Sequence, residues 1–276
     1  MKLKKISLTS FFILFGAIFL AGCAALTKTA PPAPIGDEAK AEALSLVSAL
    51  VRSGSEITTM AAKGSIEYKN NNSNHFFRFE VVSQRPASFY FTILDPLNRP
   101  AYRIVSDGLN LMALEYGSSQ ATISQDQTTI RVSIFPTSFS PSDFISLLAA
   151  SLVPLPVNAE MVSSEPNNIV LMVAPGGHWL SSNWLVQVSP GPNGLRLNGF
   201  TATVGNDPPT VASYSQFGPL LIENLGKTID FPARLDLSWG SGQSFLVRYE
   251  EARLGFEAPA ELFSTKVPTG FKVTEL

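Results

Sequence analysis

Side-chain polarity alternates with a period of two along much of the chain from Lys63 onward. Phe77, Phe79 and Val81 alternate with Arg78, Glu80 and Val82, and Phe89, Phe91 and Ile93 alternate with Tyr90, Thr92 and Leu94. Such alternation predicts strands with one buried face, as in antiparallel sheets. Tyr102–Ser106 and Leu109–Tyr116 form the next pair, with Asp107-Gly108 between them as a hairpin dipeptide. Further strands are expected at Ile169–Val173, Trp184–Val188 and Leu195–Val204, the last two joined by Pro192-Asn193-Gly194. Ala233, Leu235, Leu237 and Trp239, then Phe245, Val247 and Tyr249, supply two more alternating runs around Gly240-Ser241-Gly242.

Two segments break this period. Asp37 is placed to cap a helix running to about Arg52, with Leu44, Val47 and Val51 on one stripe. In mid-chain, Ser140 is placed to cap, Pro141 to open and Asp143 to complete the first turn of a short helix. Phe144, Ile145, Leu147 and Leu148 follow, and Pro154 and Pro156 close it. That helix is apolar on most sides, so it packs into the sheet or over its mouth. The expected fold is therefore mainly β (α+β): an unclosed antiparallel half-barrel of about ten or eleven strands, with helices on the concave face.

The N-terminus follows a different rule. Lys2, Lys4 and Lys5 precede an apolar run from Ile6 to Leu20, which is shorter than the roughly 20 residues of a membrane-spanning helix. It ends in Leu20-Ala21-Gly22-Cys23, and Cys23 is the only cysteine of the 276 residues. This pattern reads as a lipoprotein signal: residues 1–22 a signal peptide, cleavage between Gly22 and Cys23, and lipid on Cys23. Residues 23–36, with Pro31, Pro32 and Pro34, form a semi-extended tether, and residues 37–276 a single folded domain. Membrane lipid is thus a partner through the acylated cysteine, and two or more acyl chains make such anchoring stable. Ala24, where an aspartate would mark inner-membrane retention in enteric bacteria, points to the periplasmic face of the outer membrane.

Composition narrows the chemistry. Loss of residues 1–22 removes three lysines and no acid, moving the formal net charge from −2 to −5, so no basic patch invites nucleic acid. With Cys23 acylated, no thiol remains for a disulfide, a nucleophile or a metal. Charged residues are 15% of the chain against 10% aromatic, 19 of them Phe, so a large core or a lined cavity must absorb the apolar side chains. An enzyme is not expected. His75 follows a polar Asn-rich loop, His178 lies in a Gly-containing turn, and neither has metal-ligand spacing. No Gly-x-Ser-x-Gly elbow occurs, and Asp95 and Asp107 sit at turns beside Pro and Gly. No metal or cofactor is implied.

Three stretches carry a family resemblance. Ala62-Lys63-Gly64-Ser65-Ile66, the phrase Leu94-Asp95-Pro96-Leu97-Asn98-Arg99-Pro100 with Asp107-Gly108, and Phe231-Pro232-Ala233 through Lys266–Val273 resemble LolB-type outer-membrane lipoproteins. These are relatives of the periplasmic carrier LolA. The resemblance implies a half-barrel enclosing an apolar acyl-chain cavity, which accepts lipoprotein cargo from a LolA-like carrier and inserts it into the outer membrane. It also implies a turn with an exposed, membrane-inserting leucine, here Leu97, with Asp95 and Asn98 standing where the family turn has Asn and Gly. On this reading Phe77, Phe79, Phe89, Phe91, Ile93 and Leu111 line the cavity, and Phe144, Ile145, Leu147 and Leu148 form its lid helix. Two alternatives stay open: Leu97 folded back onto the sheet, and a scaffold lipoprotein of an envelope assembly that uses the same fold for protein contacts.

Overall fold

The computed structural model describes residues 37–70, 73–125, 141–152, 156–175, 184–203, 209–240 and 242–275. The signal segment, Gly22, Cys23, the tether, Ser140, Pro154 and His178 lie outside the described residues. No described helix is long and apolar enough to cross a membrane.

Among the described residues, one sheet of 14 strands carries the fold. Its first half is a meander: β1 (Thr59–Asn70), β2 (Ser73–Gln84), β3 (Ser88–Leu94), β4 (Pro100–Asp107), β5 (Leu111–Glu115) and β6 (Gln120–Ser124). Its second half runs through β7 (Pro156–Glu165), β8 (Asn168–Pro175), β9 (Trp184–Gly191), β10 (Gly194–Ala202), β11 (Thr210–Ile222), β12 (Lys227–Trp239) and β13 (Gln243–Leu254). Antiparallel pairing of β13 with β1 joins the halves, with Tyr68 opposite Phe245 and Ile66 opposite Val247. A last strand, β14 (Lys272–Glu275), adds in parallel to β6. The sheet is unclosed, with β14 and β7 at its edges.

Curvature has identifiable causes. The register of β1 against β13 shifts between Lys63 and Gly64, where a Cβ at position 64 would run into the Arg248 carbonyl. Pro232, which has no N–H to give, sits just before the point where β12 starts to pair with β13 at Arg234. Gly108, with φ of 90°, occupies the first central position of the β4–β5 turn, so the two-residue loop is Gly108-Leu109, one residue later than predicted.

Four strands lack the expected alternation and were not predicted: β6, β7, β11 and β14, which raises the count from ten or eleven to fourteen. Helix α1 (Asp37–Glu56) is one turn longer than expected and uses Ala43, Val47, Leu50 and Val51 as its buried stripe. Leu44 falls just off that stripe and is exposed, because spacings of four and three run from Ala43 rather than from Leu44. Helix α2 (Pro141–Leu148) lies where the Pro-bounded pattern put it.

Both helices join one hydrophobic core on the concave face of the sheet. A smaller cluster of Val105, Met112, Leu114 and Ala121 lies on the opposite face. It is covered by the chain after β13, through Val267 and Phe271, with Arg103 stacked over Tyr90 at 4.8 Å.

Candidate functional site

The concave face of β3 carries Phe89, Phe91 and Ile93, all buried, and β2 adds Phe79. Helix α2 presses into this floor. The Phe144 ring lies 5.3 Å from Phe89 and meets Phe91 edge-on at 5.4 Å. Ile145, Leu147 and Leu148 are also buried, so the helix has no exposed apolar face. Leu111 belongs to the same core, whereas Phe77 is half-buried at its margin beside the His75 ring. The space left between α2 and the floor is a cavity of about 20 Å³, lined by Ile66, Phe79, Phe91, Phe144, Leu235 and Phe245 among others. That is room for about one water and far too little for an acyl chain. Of the predicted lining residues Phe79 and Phe91 border this space, and Phe144, Leu147 and Leu148 of the lid helix close it as a plug.

An eight-residue helix has little stability of its own. Its last turn is held by groups that sequence patterning did not single out. The buried hydroxyls of Tyr214 and Tyr249 donate to the carbonyls of Leu147 and Leu148, each at 2.9 Å. Arg85, in the β2–β3 turn, donates to Ser146 Oγ at 3.3 Å, to Ser151 Oγ at 2.5 Å and to the Ile57 carbonyl at 2.9 Å. Burial pushes both tyrosines well above their ordinary value and lowers Arg85 to about 10. All three are therefore in their donor forms at neutral pH. The amides of Ala150 and Ser151 close back onto the Leu147 and Ser146 carbonyls. This is a Schellman ending with Ala150, at φ 48°, in the left-handed position that glycine usually takes. A Tyr in an alternating strand and an Arg before a Pro gave no signal of this shared role.

Leu97 stands apart from the plug. The strand that forms the floor, β3, continues into the turn Asp95–Arg99, where Leu97 is 70% exposed. It does not fold back onto the sheet. The Asp95 carboxylate accepts from the amides of Leu97 and Arg99 at 2.8 and 2.9 Å and from Arg99 Nε at 2.8 Å. The backbone and side-chain bonds from Arg99 hold its pKa below the usual carboxylate range. Asn98 takes φ 59°, a conformation asparagine tolerates better than most residues. Asp95 and Asn98 thus supply the acceptor and the left-handed residue that the turn needs.

Two open depressions lie on the outer face. One, of about 410 Å³, is lined by Ala61, Val82, Ala252 and Leu262 together with Lys63, Glu80 and Glu251, and the other, of about 450 Å³, is more polar, with Lys63, Arg78, Glu80, Arg103 and Glu251. Among the described residues no group of three or more His, Cys, Asp or Glu could hold a metal ion.

An unclosed half-barrel whose apolar concavity is stoppered by one short helix defines the structural class. The fold is that of LolA superfamily proteins. A LolA superfamily protein from Nitrosomonas europaea superposes with a TM-score of 0.55 at 15% identity, covering 79% of this chain and 97% of that one. A DUF1329 family protein from Desulfovibrio piger gives 0.59 at 12% identity, over 82% and 97% of the two chains. A domain described as an outer membrane lipoprotein-sorting protein, from Vibrio parahaemolyticus, gives 0.59 at 9% identity, over 83% and 97%. No family model matches the sequence, and no curated protein matches it. At these identities the likeness is one of fold.

Proposed function

We propose that this chain is a lipid-anchored envelope protein that binds the acyl chains of lipoproteins in its concave interior, without chemical turnover, when α2 leaves. The observation that carries the reading is the plug: an apolar floor covered by one short helix, latched at one end by Tyr214, Tyr249 and Arg85. Cys23, lipidated and made N-terminal by cleavage after Gly22, holds the domain at the periplasmic face of the outer membrane. A LolA-like carrier delivers the cargo, and Leu97, at the end of the floor strand, leads it into the bilayer.

Magnitudes favour a cargo with several acyl chains. Exposing Phe144, Ile145, Leu147 and Leu148 costs at most about 1.5–3 kcal/mol each, roughly 6–12 kcal/mol in all. A chain of about 15 methylenes, at about 0.8 kcal/mol each, returns roughly 12 kcal/mol. One chain therefore at least balances the loss of the plug, and a lipoprotein with two or three exceeds it by a wide margin. Release then needs a membrane, which offers the same burial.

The filled interior favours a second reading, a scaffold lipoprotein that never opens. Binding of a fluorescent fatty acid separates the two. Wild-type protein is expected to bind the probe weakly, and Arg85→Met, which removes the bonds to Ser146 and Ser151, to bind it several-fold more tightly. Absence of binding in both, with folded protein by circular dichroism, leaves the scaffold.

A further inference from the structure

Phe76 is 65% exposed, whereas most of the described phenylalanines are buried. It lies on β2 next to Phe77 and Phe79, which face the concave core, so it faces the outer side with Arg78. Arg78 pairs across the sheet with Leu94, the last residue of β3, so β2 projects beyond β3 from position 77 back to Ser73. On that projecting part Phe76 stands about 7 Å along the strand from Arg78. The Arg78 guanidinium itself reaches Asn98 Oδ1 at 3.4 Å. Phe76 and Leu97 therefore emerge at the same end of the sheet, one from the β1–β2 hairpin and one from the β3–β4 turn.

Charge around them is sorted by depth. Glu67, directly opposite Phe76, and Asp95, beneath Leu97, have side chains only 10% and 22% exposed. Their partners point outward: Lys69 is 55% exposed and Arg99 69%. Arg78, 57% exposed, meets the exposed Glu250 at 3.3 Å, and Glu80 and Glu251 line the depression behind it. The end thus presents two apolar prongs with cations at their bases, the carboxylates of Glu67 and Asp95 covered and those of Glu80, Glu250 and Glu251 set back along the sheet. Two separate prongs make a poor protein-docking patch, which needs a continuous packed centre. They suit a bilayer, where apolar tips enter the acyl region and flanking Lys and Arg stay among the headgroups.

We infer that Phe76 is a second membrane-inserting residue, acting with Leu97, and that Lys69, Arg78 and Arg99 bind the phosphates of anionic phospholipids around them. The inference rests on the reading of Leu97 as membrane-facing. Two prongs fix the tilt of the half-barrel on the surface, which a single leucine does not.

The test uses the full chain in phosphatidylethanolamine vesicles containing phosphatidylglycerol, with an environment-sensitive fluorophore on a cysteine at one position. Phe76→Cys and Leu97→Cys are the probes, Leu225→Cys at the opposite end of the sheet is the control, and the unsubstituted chain reports any signal from Cys23. A blue-shift is expected at 76 and 97 and none at 225. Lys69→Gln and Arg78→Gln are each expected to lower the docked fraction read at 76 by about fivefold. A shift at 97 without one at 76 overturns this inference and leaves the proposed function standing, whereas a shift at neither removes the membrane role of Leu97 as well. An equal shift without phosphatidylglycerol, or one that needs an added protein, overturns the anionic-lipid assignment.

Discussion

The two helices lie on the same concave face and do different work. Helix α1 has 20 residues and buries a single stripe, Ala43, Val47, Leu50 and Val51, while most of its other side chains face solvent. Its C-terminal end is tied by an exposed ion pair, Glu56 to Lys227 at 2.5 Å, a kind of contact worth little in water. Helix α2 has eight residues, all but Ser142 buried, and its last turn is bound by side chains from β11, β13 and the β2–β3 turn. A long amphipathic helix is a permanent cover, made by its own pattern. A short helix that exists only through its surroundings can leave when those surroundings are offered something else.

Matched core truncations give the largest contrast. Phe144→Ala in α2 is expected to cost about 3–5 kcal/mol and Leu50→Ala in α1 about 2–5 kcal/mol, both read from urea unfolding. Only the first removes part of the plug from the floor of Phe89 and Phe91. Fatty-acid probe affinity should therefore rise for Phe144→Ala and stay unchanged for Leu50→Ala. Equal behaviour of the two variants would erase the distinction between cover and plug.

High pH supplies the next test. Burial raises the pKa of Tyr214 and Tyr249 above the value of about 10 they have in the unfolded chain. Between those values the folded state holds protons that the unfolded state has lost, so stability falls as pH rises above about 10. The slope is about 1.4 kcal/mol per pH unit for each tyrosine, roughly 2.7 for the pair. Comparing wild type with the Tyr214→Phe, Tyr249→Phe chain cancels every other titrating group. A slope that is the same in both would mean that these hydroxyls are not buried donors to α2.

How far the sequence discloses this contrast depends on what kind of pattern each part leaves. The floor is legible, since Phe89, Phe91 and Ile93 alternate with Tyr90, Thr92 and Leu94 along one strand. So is the plug, because proline punctuation and a run apolar on all sides mark a short buried helix. Edge and bent strands are not: only Ala159 is fully buried on the described part of β7, β14 is wholly exposed, and β11 contains Gly218 and Pro219 and kinks at Gln216, φ 58°. Their pairing comes from neighbouring strands rather than from their own side chains. The latch is equally hidden, since it unites Arg85, Ser146, Ser151, Tyr214 and Tyr249 from four distant segments. Leu97 could be placed from the turn phrase, whereas Phe76 is masked in sequence by Phe77 and needs the register of β2 to show which way it faces.

The smallest expected effect separates the helix ends themselves. Helix α1 stops at Glu56 with no left-handed residue in its last turn, while α2 ends on Ala150 at φ 48°. A side chain in that conformation costs roughly 1–2 kcal/mol, of which glycine would return part, less the greater freedom it gives the unfolded chain. Ala150→Gly should then stabilise the closed state by about 0.5–1 kcal/mol. By linkage it should weaken fatty-acid probe binding by roughly two- to fivefold, since the probe must displace a firmer plug. Amide exchange at Ala149 and Ser151 should slow by the same factor. Stabilisation with unchanged probe affinity would place the strain outside the opening step, and the plug would then have to open by a path that leaves its C-terminal turn intact.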